Sequence, residues 1–248
     1  MERLASYAGV TLDPFTTHDP GRTTRLEDVA LEAPDTPEAW LVLARCHDDH
    51  GRTAQAVLAY VRYAMIEQGS ASARAVASRV FKLLVPEFPS EPPTTAMRVP
   101  SVSGDPWWQA ELILATIRST RHAAKTRGAS DERFVATALQ GLVTFVVDLA
   151  DAARMGELWR TEVVPYFRAA RANCFLESMA YVVTGPLERP ESTRWLARHA
   201  ASVRSLRTWT RRWPSARSDF RSVSVRPGSS EWPVGKRPRT LGFFCPTR

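Results

Sequence analysis

The sequence predicts an all-α protein, and three observations carry that expectation. Apolar residues recur at three- and four-residue steps along most of the chain. Glycine and proline fall between those stretches, where helices stop and start. Six prolines crowd 86–106 (Pro86, Pro89, Pro92, Pro93, Pro100 and Pro106), a density that denies helix and sheet alike and divides the chain. At 248 residues, 44% hydrophobic and 24% charged, the composition is that of an ordinary globular protein able to bury a core.

Residues 1–22 mix Gly, Pro, Thr and Asp with little periodicity and form a loose N-terminal arm in this reading. A helix follows over 24–33, with Leu26, Val29 and Ala30 on one side, and Pro34, Asp35 and Pro37 make the turn after it. The stretch 38–50 places Ala39, Trp40, Leu43, Ala44 and His47 on one helical side. Gly51 stops it, Thr53 caps the next helix, and Ala56, Val57, Tyr60 and Ala64 face inward. Two helices joined by a tight glycine turn follow from these residues alone. Another helix spans 71–84, with Ala75, Val76, Arg79, Val80, Leu83 and Leu84 suggesting its buried side. Beyond the prolines, Asp105-Pro106 starts a helix with Trp108, Leu112, Ala115 and Ser119 along one face, broadened by Ile113, Leu114 and Ile117, which Gly128 ends. Ser130 caps a helix whose apolar stripe (Phe134, Val135, Ala138, Leu139, Leu142, Phe145, Val146, Leu149) is wide enough to make it central. A helical stretch over 157–182 is split or kinked by Pro165. The last helix runs over 192–213, and the Ser/Pro/Arg-rich tail, 214–248, is expected to be disordered.

Trp40, Leu43, Ala44, His47, Gly51, Ala56 and Tyr60 stand at the spacing of a tetratricopeptide repeat, and over 26–69 the chain resembles that family of helical hairpins. Trp40, Leu43 and Tyr60 fill the space between the paired helices, while Ala44 and Ala56 let the backbones approach. Ala44 stands where glycine is usual, and His47 where an aromatic is commoner. The resemblance implies a helical unit over 23–85 with a concave groove that receives a peptide or partner helix. Its outward residues on the first helix of the hairpin would be Leu41, Arg45, Asp48 and Asp49. The stretch 106–213 is expected to be a helical bundle or continued solenoid, joined by a proline-rich linker over 86–105.

No catalytic, cofactor or metal residues are nominated. Cys46, His47, Asp48, Asp49 and His50 are consecutive ligand types, but helical neighbours fan out by about 100° per residue and cannot converge on one ion. Cys174 is read as a buried helical cysteine acting as a small hydrophobe. There is no Gly-x-Ser-x-Gly elbow, Gly-x-Gly-x-x-Gly or phosphate-cradling Lys-Ser/Thr loop. Glu111, Asp148, Asp151, Glu157 and Glu162 are spaced as solvated helix positions.

The charge is uneven. Of 33 Lys and Arg, 14 lie in 189–248 against three acidic residues, a net of +11; the remaining 19 basic and 23 acidic residues leave 1–188 at −4. Arg194, Arg198, Arg204, Arg207, Arg211 and Arg212 alternate with Trp195, Leu196, Val203, Leu206, Trp209 and Trp213, giving a cationic amphipathic helix. Such a face can meet nucleic-acid phosphate with tryptophans available for stacking, an acidic protein, or an anionic membrane surface. Equally, the apolar side can pack on preceding helices while the arginines solvate the outside. No apolar run nears the ~18 residues a membrane crossing needs. The longest, 139–149, is interrupted by Gly141, Thr144 and Asp148. No signal peptide is expected at the N-terminus. Three dispersed cysteines (Cys46, Cys174, Cys245) fit a reducing cytoplasm. The leading expectation is a non-catalytic protein-interaction scaffold with a protein or peptide partner and no cofactor; the alternative is a nucleic-acid-associated regulator working through the C-terminal arginines.

Overall fold

The computed structural model describes residues 20–85, 107–148 and 155–221, and among these there is helix and no strand. The order is α1 (Pro20–Glu32), α2 (Pro37–Asp49), α3 (Thr53–Ile66), α4 (Ala73–Leu84), α5 (Trp107–Ser119), α6 (Arg121–Thr126) and α7 (Asp131–Asp148). A π-helical turn, Trp159–Val163, leads into α8 (Val164–Ala172); α9 (Leu176–Thr184), a 3-10 turn (Gly185–Leu187), α10 (Pro190–Arg198) and α11 (Ala200–Arg221) follow. Most of the N-terminal arm, the whole proline-rich linker, Leu149 of the expected stripe and the tail beyond residue 221 lie outside the described residues.

The α2–α3 hairpin is the most extensive pairing in the fold. Trp40, Leu43, Ala44, Ala56 and Tyr60 are buried there, and the Trp40 indole donates to the Pro34 carbonyl at 2.8 Å. Gly51, at φ +69°, closes α2: its amide donates to Asp48 O at 2.9 Å and that of Arg52 to His47 O at 2.8 Å, the two reciprocal bonds of a Schellman cap. Thr53 is the first residue of α3 rather than its cap. The cap comes from far along the chain, because the Glu111 carboxylate of α5 accepts the Ala54 amide at 2.6 Å.

The helices on both sides of 86–106 share one core, continuous from Leu26 to Trp213. α7, expected to be central, packs against α4, α5, α6, α8 and α9, and its Ser130 cap forms through the Arg133 amide at 3.1 Å. α9 is a second hub, touching α3, α4, α7, α10 and α11. α5 packs against α7 with the end of the Ile117 side chain over Gly141, where a Cβ would meet Ile117 Cδ1 at 2.8 Å and displace it.

Several expected boundaries move. α1 begins at Pro20, inside the stretch assigned to the arm, because proline in a first turn forfeits no helical hydrogen bond. α5 buries Trp107, Ala110 and Leu114; of the expected face only Leu114, from its broadened edge, is buried, and the stripe through Trp108, Leu112, Ala115 and Ser119 is not. Both sets have helical spacing, and Trp107 wins because its ring meets Trp159 edge-on at 4.6 Å. α5 ends at Ser119, before Gly128: the Ser119 and Thr120 hydroxyls turn back onto the carbonyls of Thr116 and Ile117, both at 2.7 Å. The stretch 157–182 is distorted just before Pro165, where the π-helical turn Trp159–Val163 stands, and is broken outright at Asn173–Phe175. There Cys174 takes φ +57° in a second Schellman cap and is exposed, not a buried helical residue. The last helix is two, interrupted at His199, whose Nδ1 lies 2.9 Å from Trp195 O. The backbone of α11 continues to Arg221, eight residues into the expected tail, which up to that point contains no glycine to end it.

Candidate interaction surfaces

The groove residues of α2 separate. Arg45 and Asp49 are exposed. Leu41 is 6% exposed and belongs to the core, so it is no groove residue. Asp48 is engaged internally: its carboxylate pairs with Arg79 of α4 and accepts the Tyr60 hydroxyl of α3 at 3.3 Å. Burial, with the Asp48 charge close behind, pushes the Tyr60 phenol well above its ordinary range. Asp48 therefore ties three helices together instead of facing a ligand. Helical phase alone cannot reveal this, because the covering helix, α4, comes from another part of the chain.

The consecutive ligand types of α2 point in different directions. Cys46 is buried with its sulfur 3.4 Å from Thr23 Oγ1 of α1. His47 is fully buried, edge-on to Trp159 at 5.4 Å, with its Nε2 3.6 Å from Glu27 Oε1. The Glu27 carboxylate instead accepts the Trp159 indole at 2.8 Å. Burial first, and then the charges of Arg52 and His50, depress the imidazole pKa to about 3, so at neutral pH the His47–Glu27 approach is not an ion pair. Burial raises the Glu27 carboxyl, against the opposing pull of the Trp159 hydrogen bond and Arg52. Among the described residues no three His, Cys, Asp or Glu side chains converge as a metal site would require.

A buried cation lies deeper. Arg62 of α3, 3% exposed, holds its guanidinium 3.9 Å over the Tyr166 ring and 5.5 Å from that of Trp40. Its Nε has no hydrogen-bond partner. It is an aromatic-sandwiched cation inside the core.

The C-terminal arginines are presented outward. Arg194 and Arg198 on α10 and Arg204, Arg207, Arg211 and Arg212 on α11 are all exposed, and among the described residues none makes an ion pair. No acidic residue occurs in 200–213. Arg204, Arg207 and Arg211 follow at i, i+3 and i+7 and so share one face. Opposite them Val203, Leu206, Thr210 and Trp213 are buried. Trp213 is buried, and Trp209 and Trp195 are half-buried with their rings engaged: Trp209 and Trp213 lie 5.0 and 5.4 Å from the Tyr166 ring, and Trp195 stacks on Tyr181 at 4.3 Å.

Beside this row is a cleft of about 210 Å³ where α3, α4, α9, α10 and α11 come together. Ala64, Ala73, Val183 and Leu196 wall it, and Glu67 and Arg207 stand at its polar edge. The sequence offers no signal for it, because its walls come from helices more than 100 residues apart.

Fold and surface together define an all-α protein with a cationic helical face. No protein-family model matches the chain, and no curated protein or solved structure matches it. Among the described residues, no helix is long and apolar enough to cross a membrane.

Proposed function

We propose that the chain is a non-catalytic protein-interaction module whose contact face is the arginine surface of α10 and α11, and whose partner is an acidic protein segment. The observation that carries this reading is six exposed arginines that, among the described residues, make no ion pair. A guanidinium paired internally would offer little to a partner, whereas an unpaired one can take a carboxylate bidentately. A single-stranded nucleic acid would need aromatic platforms, and the rings of Trp195, Trp209 and Trp213 are already packed on Tyr181, Phe175 and Tyr166. The groove implied by the tetratricopeptide resemblance is the weaker surface, since Leu41 and Asp48 are unavailable to it. The non-catalytic part rests on the sequence, which contains no nucleophile elbow or phosphate-cradling loop. A cytoplasmic setting belongs to the same proposal and rests on the three dispersed cysteines.

The test is binding of fluorescein-labelled polyglutamate and of a 20-base-pair DNA duplex at low and moderate salt. The chain is compared with an Arg204→Glu/Arg207→Glu/Arg211→Glu variant. Polyglutamate should bind more tightly than the duplex, and the reversal should weaken it at least roughly tenfold. Equal polyglutamate binding by the variant would overturn the proposal. Tighter duplex binding with a steep salt dependence would replace it with the phosphate-contact reading.

A further inference from the structure

We infer that the cleft beside Arg207 receives one large apolar side chain of that acidic segment, so that the partner is an acidic sequence carrying a leucine- or phenylalanine-sized anchor. This rests on the arginine-face proposal and deepens it. Three observations meet at the cleft. Ala64, Ala73, Val183 and Leu196 give it an aliphatic side, facing a polar side of Glu67, Gln68 and Arg207. Its volume of about 210 Å³ suits one such side chain and is too small for a folded element. Arg207 belongs both to the cleft and to the row Arg204–Arg207–Arg211, so a chain lying along the row passes over the opening.

The polar edge decides which part of the partner enters. Glu67 lines the same cleft as Arg207, and its carboxylate repels an acidic group placed inside. A carboxylate is therefore accommodated outside, along the arginines, while the cleft takes the uncharged residue between acidic neighbours. Burying an aliphatic side chain from water supplies affinity that is independent of salt, and the arginines supply orientation and rate. Among peptide-recognition modes this is an anchor residue in a pocket with a charged rim. A duplex has no comparable group to insert here, which separates the two partner classes at this one position.

The experiment uses the full chain and two fluorescein-labelled peptides, eight glutamates flanking a central leucine and the same peptide with serine. Wild-type protein should bind the leucine peptide about tenfold more tightly, the effect of partial burial of one leucine side chain. Ala64→Leu, which fills the cleft, should abolish that preference while leaving the serine peptide's affinity within about twofold. Gln68→Trp is the second variant; it closes the cleft from the loop after α3 without entering the core, and serves where Ala64→Leu does not fold by circular dichroism. Equal affinity of wild type for the two peptides, or a preference that survives both variants, overturns the anchor inference and leaves the arginine face standing. Failure of both peptides to bind wild type overturns both.

Discussion

His47 shows how one buried side chain sets a pH dependence. The folded imidazole titrates near pH 3 because burial disfavours its charged form, whereas an unfolded histidine titrates near 6.5. Between those values the unfolded chain takes up a proton that the folded chain refuses. Stability is therefore fullest above about pH 6.5 and falls as the pH drops, by at most about 1.4 kcal/mol per unit. Glu27 acts in the opposite sense: its carboxyl is raised, so its contribution is present below the unfolded value and is lost as pH rises through the folded one. His47→Phe keeps an edge-on ring against Trp159 and removes the titration. Guanidinium unfolding at pH 7 and pH 4 should show the variant losing about 2–3 kcal/mol less than wild type across that interval. An equal loss in both proteins would clear His47 of the effect. Arg62 permits a companion test, since its buried guanidinium has two aromatic faces for company and no hydrogen bond at Nε. Arg62→Met keeps the packed stem and should stay within about 1 kcal/mol of wild type, while Arg62→Ala should cost about 2–4 kcal/mol through the cavity it leaves. If methionine costs as much as alanine in urea denaturation, the charge itself stabilises the core.

Helix ends make the next set of expectations. Gly51 and Cys174 occupy equivalent positions of two Schellman caps, at φ +69° and +57°. The first is the residue type such a position favours and the second is not. A Cβ at Gly51 would meet nothing within 4 Å, so Gly51→Ala isolates the backbone term and should lower stability by about 1 kcal/mol. Cys174→Gly should move the midpoint of thermal unfolding upward, by no more than the equivalent of about 1 kcal/mol. A fall in that midpoint would show that interactions of the thiol outweigh the conformational strain. Element existence was legible in the sequence: α2, α3, α4 and α7 lie where periodicity, Gly51 and Ser130 place them. Helical phase and the subtler breaks were not. Trp107 and Trp108 offer equally good stripes for α5, and the choice is made by Trp159, 52 residues further along the chain than Trp107. The break at Cys174 carries no glycine to announce it.

At the scale of the molecule, long-range ties join the segments on both sides of the prolines. Trp159 donates to Glu27, Glu111 caps α3, and Arg189 of the C-terminal half pairs with Glu132 at 3.0 Å while its guanidinium lies 4.3 Å from the Phe81 ring of α4. A core shared this way should unfold as one unit. Calorimetry should give a single transition whose van't Hoff and calorimetric enthalpies agree, and residues 1–85 expressed alone should lack stable helix by circular dichroism. Two resolved transitions, or a helical, cooperatively melting fragment, would mean that the N-terminal hairpin stands by itself.

The sequence by itself determined the helical class, most of the helix positions, the buried identity of His47 and the outward arginines of α10 and α11. These depend on periodicity and composition, which are local. Only the tertiary structure decided that Leu41 and Asp48 are withdrawn from the expected groove, that the tryptophan rings pack on Tyr181, Phe175 and Tyr166, and that a cleft opens beside Arg207. Each of those outcomes depends on which distant helix covers a given face, and helical spacing fixes the face without naming its neighbour.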